Sequence, residues 1–542
     1  RHQMPSTDVI LTAMRNISSL GHLRRPAAFA TCALTLGAMA YACGGDDNTD
    51  PAAATTVASS MGGMGGDGVG GFDLPVGGNG PGGSTTMSSS SAGGQGEPGY
   101  VWDEIYGGTG KIYARDVAVD QAGNIILVGS FTQSAGESVD LGGGPLSYAG
   151  LNDIFVAKFD STGGHIWSRS FGDGDDDGAI AVDCDNNNDI FITGNFKGLL
   201  NFGSTNLDAQ GTQFPDTYVA KLSGANGNEL WAQSFGVGIE ESDYGNALSV
   251  DPSGNVVITG MFQSYINFGG VELQAAGGEG DYSMFVAKFN PSGAHLYSEG
   301  FGGTGKNEAY AAATNAAHIA IGGYTEGAID FGGGSMNPGD GPRAAVALLD
   351  SSGGHIFSYA FPSDDEAEVQ SLAFAPNGDL VVAGNFRGSM DVAGDVIEAA
   401  GGNDDIFVAR FDTTGAPQFV RRIGSATVEK VGDIGVDSNG YTLIAGFFKG
   451  EFQINSSTIL TSQSTANDMY LLRLGPPGYA YWGFNANAVQ TAQGLGLVVL
   501  PNDDIVTVGN FSGELDLGSG AKGSGASVDF FLAQFAAEGD GG

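Results

Sequence analysis

Short apolar runs recur along the chain at a nearly constant interval. One reads IFVAKFD (154–160), TYVAKLS (217–223), MFVAKFN (284–290), AAVALLD (344–350), IFVARFD (406–412), MYLLRLG (469–475) and FFLAQFA (530–536), with starts 60 to 67 residues apart. A second run precedes each of these, as in NIILVGSF (124–131), DIFITGNF (189–196) and DLVVAGNF (379–386). Just before that lies a shorter one, such as DVAVD (116–120), AIAVD (179–183) or ALSVD (247–251). A fourth follows, as HIWSRSFG (165–172), ELWAQSFG (229–236) and HLYSEGFG (295–302). The runs are β-branched and aromatic, are bounded by Gly, Asp, Asn and Pro, and show no sustained 3.6-residue period, so they read as strands. Four strands repeated seven times predict an all-β, seven-bladed β-propeller over residues 100–538. The fourth strand lacks its last copy, and a matching run stands at the front, YVWDEIYG (100–107). Strand 100–107 is therefore expected to complete the last blade beside 530–536 and to close the ring, which removes the open sheet edge.

The stretch VAKFDSTGGHIWSRSFGDGDDDGAIAVDCDNNNDIFITGNF (156–196) resembles the bacterial β-propeller repeat called SBBP, and the likeness extends over nearly all of 100–536. The resemblance implies a seven-bladed propeller on an exported protein. It carries no general catalytic motif, so it assigns no functional residue.

The sequence before residue 100 is of another kind. Arg15, Arg24 and Arg25 precede the uncharged run PAAFATCALTLGAMAYA (26–42), which suits a signal peptide over 1–42. The junction Ala40-Tyr41-Ala42-Cys43-Gly44 resembles a bacterial lipoprotein box, departing from it at Ala40, where Leu is usual. Cys43 is the expected lipid attachment site, with cleavage and plain secretion as the alternative. Residues 44–99 are mostly Gly, Ser, Thr, Ala and Asp, with no Lys or Arg and almost no large apolar residue. Such a segment cannot bury enough apolar surface to order itself, and reads with Cys43 as a disordered tether over 43–99. The expected address is the outer membrane or cell surface, with the lipid anchor as the only membrane contact.

Charge narrows the partners. The chain of 542 residues has 61 acidic against 21 basic side chains, a net −40, which excludes nucleic acid as a partner. Of three cysteines, Cys32 lies in the signal and Cys43 at the lipid site, leaving Cys184 alone. His165, His295 and His355 share one repeat position, as do Trp102, Trp167, Trp231 and Trp482. Repeat packing accounts for both sets more simply than a catalytic cluster or a sugar platform. Lys158, Lys221, Lys288, Arg410 and Arg473 also share a position, and read as long side chains lying over apolar surface and meeting neighbouring acids.

Short Asp-to-Gly turns such as DQAGN (120–124) and DSTGG (160–164) predict a plain face. Longer loops such as 137–153, 266–281 and 329–341 fall on the opposite face, which is the expected place of function. Two acidic stretches are candidate calcium ligands: Asp173, Asp175 and Asp177, and then Asp183, Asp185, Asn187 and Asp189. A solvated acidic loop is the plainer reading of each. Strand 179–183 between them should set them on opposite faces, so they are not expected to form one site. No cofactor is required, and calcium is the one candidate. The expected function is a non-enzymatic, surface-tethered binding or adhesion module that engages an extracellular protein or polysaccharide through its long-loop face. Alternatives are a structural part of an envelope complex and, less favoured, a polysaccharide hydrolase or lyase.

Overall fold

The computed structural model describes residues 90–91 and 98–536, save 135, 210–212, 237–240, 279, 457, 463–465, 487 and 525–527. The stretches expected to be signal peptide and tether, Cys43 included, lie outside the described residues up to residue 89 and again at 92–97. All regular elements among the described residues are strands. They form seven four-stranded antiparallel blades, and blade one runs Lys111–Val119, Ile125–Thr132, Asp153–Phe159 and His165–Phe171 from axis to rim. The inner strands of the following blades begin at Asp177, Tyr244, Asn307, Ala367, Glu429 and Thr491. Each inner strand touches the next, and the seventh returns to the first, so the ring is closed.

Burial explains the run pattern. The second and third strands are sandwiched on both faces by neighbouring blades, and 153–159, 216–222 and 405–411 are buried at every residue. Such strands read as continuous apolar runs rather than alternations. The outer strands have one face in solvent and alternate. Closure follows the expected route: Gly99–Gly108 pairs antiparallel with Asp529–Ala536, placing Tyr106 opposite Phe530 and Trp102 opposite Gln534. Ser90–Ser91 add a short edge strand beside Phe484–Asn485 of blade six.

The repeat aromatics are structural. Trp102, Trp167 and Trp231 each cover the turn joining the third and outer strands of the next blade, and their indole N–H groups donate to Ser161 O, Gly224 O and Pro291 O at 3.3, 3.2 and 3.1 Å. Each lies on a left-handed turn glycine, Trp167 on Gly227 (φ 70°), where an added Cβ would stand 2.7 Å from the ring. Gly227→Ala should therefore cost more than about 1 kcal/mol, through backbone strain and displacement of Trp167, read as a lower denaturation midpoint.

The long loops differ from expectation. Between second and third strands, five blades carry a small hairpin: 199–201 with 206–208, 265–266 with 273–274, 389–392 with 395–398, 451–453 with 459–461, and 514–515 with 522–523. Blades one and four carry single-bridge versions, Asp140 with Pro145 and Ile329 with Met336. Their apolar residues, among them Leu141, Phe202, Phe268, Phe331, Val392, Phe452 and Leu517, are buried. These insertions seal the flanks of the ring. In blades one, three and four a Gly-Gly pair lies against His165, His295 or His355, whose Nε2 meets the hydroxyl of Ser168, Ser298 or Ser358 at 3.2, 3.0 and 3.0 Å. The three histidines are thus fixed one to a blade.

Candidate binding face

The plain face is closed by ion pairs inside the blades. Lys158 Nζ lies 2.7 Å from Asp120, Lys221 Nζ 2.9 Å from Asp185, Lys288 Nζ 2.9 Å from Asp251, Arg410 Nε 2.9 Å from Asp379 and Arg473 Nη2 2.5 Å from Asp437. These cations are buried, and meet acids as expected rather than lying along the surface. Three reach across a blade boundary: Lys158 donates to Gly224 O, Lys288 to Ser351 O and Arg410 to Gly440 O. Burial raises the pKa of Asp120, but the Asn124 amide and the Lys158 ammonium outweigh it and hold the group below the usual carboxylate range. The turn acids are saturated from within.

On the long-loop face, the inner strands of blades four to six frame a cleft of ≈180 Å3 near the axis. A bulge between Ala309 and Ala311 sets Tyr310 there, and its ring lies 5.7 Å from that of Tyr324. Both hydroxyls point to Glu308, at 3.3 and 3.5 Å, and Asn246 donates to the same carboxyl at 3.0 Å. Burial raises the pKa of Glu308, against those hydrogen bonds. Glu366, Glu368 and Asp404 line the cleft with Lys430, whose ammonium lies 3.3 Å from Asp404 and 3.6 Å from Glu368. Paired rings beside several carboxylates and one ammonium offer stacking, hydrogen bonding and charge in one concavity. A wider groove of ≈420 Å3 lies on the rim between blades one and two. Its polar groups are already engaged: Arg169 with Asn226 O and Asn228, Glu229 with Ser204 and Thr205.

The calcium candidates fall into three places. Asp173 and Asp175 lie in the connection from blade one to blade two, and Asp177 opens the inner strand, all on the long-loop side. Here the carboxylates cap local backbone: Asp173 accepts from Asp175 N and Leu199 N, and Asp177 from Asp173 N. Asp183 faces the axis and brackets two blades, accepting from Val250 N and Cys184 N. Asp185, Asn187 and Asp189 form the plain-face turn, where Lys221 lies 2.9 Å from Asp185 and 3.2 Å from Asp189. Among the described residues no three of His, Cys, Asp and Glu converge as metal ligands. The two stretches stand at opposite ends of strand Asp177–Cys184, as their spacing predicts. Burial and the acids Asp183 and Asp120 push the Cys184 thiol well up, away from a reactive thiolate.

Sequence reasoning missed the cleft, because Tyr310, Tyr324, Glu368 and Lys430 come from three blades. It also missed the axial acids. Asp116 bridges Val117 N and Val182 N, and Asp433 bridges Ile434 N and Leu497 N. Burial, with Asp433 adding, pushes Asp116 up to about 8. These brackets join inner strands side by side.

The chain is a seven-bladed β-propeller built of sequence repeats. No model of a known protein family matches it. It is 20% identical over 466 residues to an uncharacterised WD-repeat-containing protein of Acanthamoeba polyphaga mimivirus, across 76% of this chain and 31% of that one. The propeller chain thus spans under a third of that relative's length. Among solved structures it is similar to Sqt1 of Chaetomium thermophilum (12% identity, 79% and 97% of the two chains, TM-score 0.35) and to a protein of unknown function from Dyadobacter fermentans (10%, 81% and 98%, TM-score 0.35).

Proposed function

We propose that this propeller is a non-catalytic, surface-tethered binding module, exported and lipid-anchored at Cys43 in the manner of SBBP-type lipoproteins, which engages an extracellular protein or polysaccharide through its long-loop face. The contrast between the faces carries this reading. The plain face spends its acids on internal lysines and arginines, whereas the long-loop face opens a cleft with two tyrosines and several partly exposed carboxylates. The WD-repeat relative supports the protein-interaction side of the reading. Calcium is not needed for it, since Asp185 and Asp189 already have Lys221.

The test is binding of the full chain to arrayed envelope proteins and polysaccharides, with one variant on each face. Tyr324→Ala combined with Glu368→Gln should weaken binding about tenfold or more, as expected for a central aromatic anchor. Ala122→Trp, on an exposed plain-face turn, should leave it unchanged. The reverse pattern would overturn the assignment of the face. Turnover of a polysaccharide, lost in Glu308→Gln, would overturn the non-catalytic reading. A mature N-terminus bearing unmodified Cys43 would remove the anchor and leave secretion.

A further inference from the structure

The junctions between blades on the long-loop side follow one rule. The first residue of a third strand lies beside the residue at, or just before, the start of the next blade's inner strand: Asp177 N donates to Asn152 O and Asp243 N to Pro215 O, both at 2.9 Å. At the junction of blades one and two these are Asp153 and Asp177, 2% and 1% exposed; at that of blades two and three, Asp216 and Asp243, 6% and 1% exposed. Among the described residues, neither junction holds a cation against its pair. Asp153 Oδ1, Asp177 Oδ1 and Asp243 Oδ2 are buried without a hydrogen-bond partner, while Ala149 N, Asp173 N and Gln263 N satisfy the other oxygens. The charged groups around the first pair are acidic: Asp173 faces both members, and the nearby Lys197 ammonium is turned to Asp176, 3.5 Å away. Around the second pair stand Asp208 and Glu241.

The other junctions supply the contrast. Where blade three meets blade four, the same positions hold Ser283 and Asn307, a neutral pair, with the Asn307 amide donating to Tyr282 O and Gly305 O. Where blade five meets blade six they hold Asp405 and Glu429, and there Arg422 is ion-paired to Asp405. Ser283–Asn307 is thus neutral and Asp405 has Arg422, whereas the acid pairs of the first two junctions have neither device. Two buried carboxylates side by side without a counter-charge cannot both ionise at low cost.

We propose that Asp153–Asp177 and Asp216–Asp243 each hold a proton in the folded ring, so that the junctions of the first three blades are locked in acid and loosen as the pH rises above neutral. The electrostatics agree. Burial, then Asp173, pushes Asp153 up to about 6; burial, with Asp173 and Asp153 adding, pushes Asp177 up to about 8. Burial, then Asp208, takes Asp216 up to about 7, and burial, then Asp216, takes Asp243 well above the carboxylate range. Such a group keeps its proton when folded at pH values where the unfolded chain has lost it. Its stabilisation is complete below the unfolded value near 4 and disappears as the pH passes through the folded value, here between 6 and 8 and beyond.

The experiment is a thermal melt of the full chain between pH 5 and pH 9, with chelator present, for the native protein and for Asp177→Asn/Asp243→Asn. Asn307 shows that an amide is at home at this position. The native midpoint should fall steadily above pH 6. The variant should fall less steeply and melt above the native protein at pH 9. Parallel curves, or a native midpoint that rises with pH, would overturn the proposal. So would a midpoint at pH 9 that calcium raises in the native chain alone, because the pairs would then be cation sites. Should the double variant fail to fold, Asp177→Asn and Asp243→Asn singly should each take up about one proton fewer than the native chain on folding at pH 7, and an unchanged uptake refutes the proposal.

Discussion

Arg473→Met should destabilise the ring by about 3–5 kcal/mol, the cost of stranding a buried charge without its partner. Arg473 is 2% exposed and its guanidinium lies 2.5 Å from an Asp437 carboxylate with no exposed surface. It also lies over the Tyr441 ring at 4.1 Å, so the planar group is held on two sides. Removing it leaves Asp437 with only the backbone N–H groups of Asn439 and Tyr441. Arg473→Lys keeps the charge but loses the stacked plane, and should cost less. Blade four shows what relieves the loss. At the position of Arg473 it carries Leu348, fully buried, and its turn opens with Asn315 in place of the acid. Adding Asp437→Asn to Arg473→Met should therefore recover most of the lost stability, as replacement of a whole buried pair is often neutral. Denaturant midpoints of the two single variants and the double variant complete the cycle. A double variant as unstable as Arg473→Met alone would mean that stacking on Tyr441, and not charge, holds the turn.

The architecture was legible because the strand signal is redundant. Seven copies of VAKF-like runs mark strands buried on both faces, and a Trp, Tyr or Phe returns in the outer strands because, at six of the seven positions, a turn glycine of the next blade lies beneath it. The separation of the two acidic stretches was legible from the length of one strand. Depth was not. The shared Lys and Arg position was read as snorkelling over apolar surface, yet the third strand lies between two blades and the cation is buried. The hairpins that fill the long loops have a signal of their own, an apolar–polar–apolar triplet at Val139–Leu141, Leu200–Phe202, Ile266–Phe268, Ile329–Phe331, Met390–Val392, Phe452–Ile454 and Leu515–Leu517. It is too short to be heard beside the main strands. The cleft and the acid pairs could not be read at all. Tyr310 and Lys430 stand far apart in sequence, and Asp153 finds Asp177 only across a blade boundary. Among 61 acids no spacing singles such a pair out.

The second large effect concerns closure. A chain lacking residues 98–108 should lose its cooperative fold, and a synthetic peptide of that sequence should restore it in trans. The strand Gly99–Gly108 is joined to blade seven by hydrogen bonds and packing alone, in register from Gly99 opposite Ala536 to Tyr106 opposite Phe530. It brings Tyr106 into contact with Phe159 and Phe530 at 4.8 and 5.4 Å, and the Tyr106 hydroxyl donates to Gly163 O of blade one at 2.8 Å. Trp102 donates to Gln534, so this one strand ties the last blade to the first. Trp102, Ile105 and Tyr106 are half-buried there, and each contributes at most about 1.5–3 kcal/mol, the value for full burial of a large apolar side chain. Losing them also bares the edge of Asp529–Ala536, a buried apolar strand that would pair with another chain. The truncated chain should therefore associate in size-exclusion experiments, and the peptide should return it to the native elution volume. Moving the strand to follow residue 536 by circular permutation should keep the fold. A truncated chain that stays monomeric with an unchanged melting midpoint would show instead that the inner strands close the ring without it, through the hydrogen bonds of Asn510 with Ala114 and of Ile112 N with Val528 O between blades seven and one.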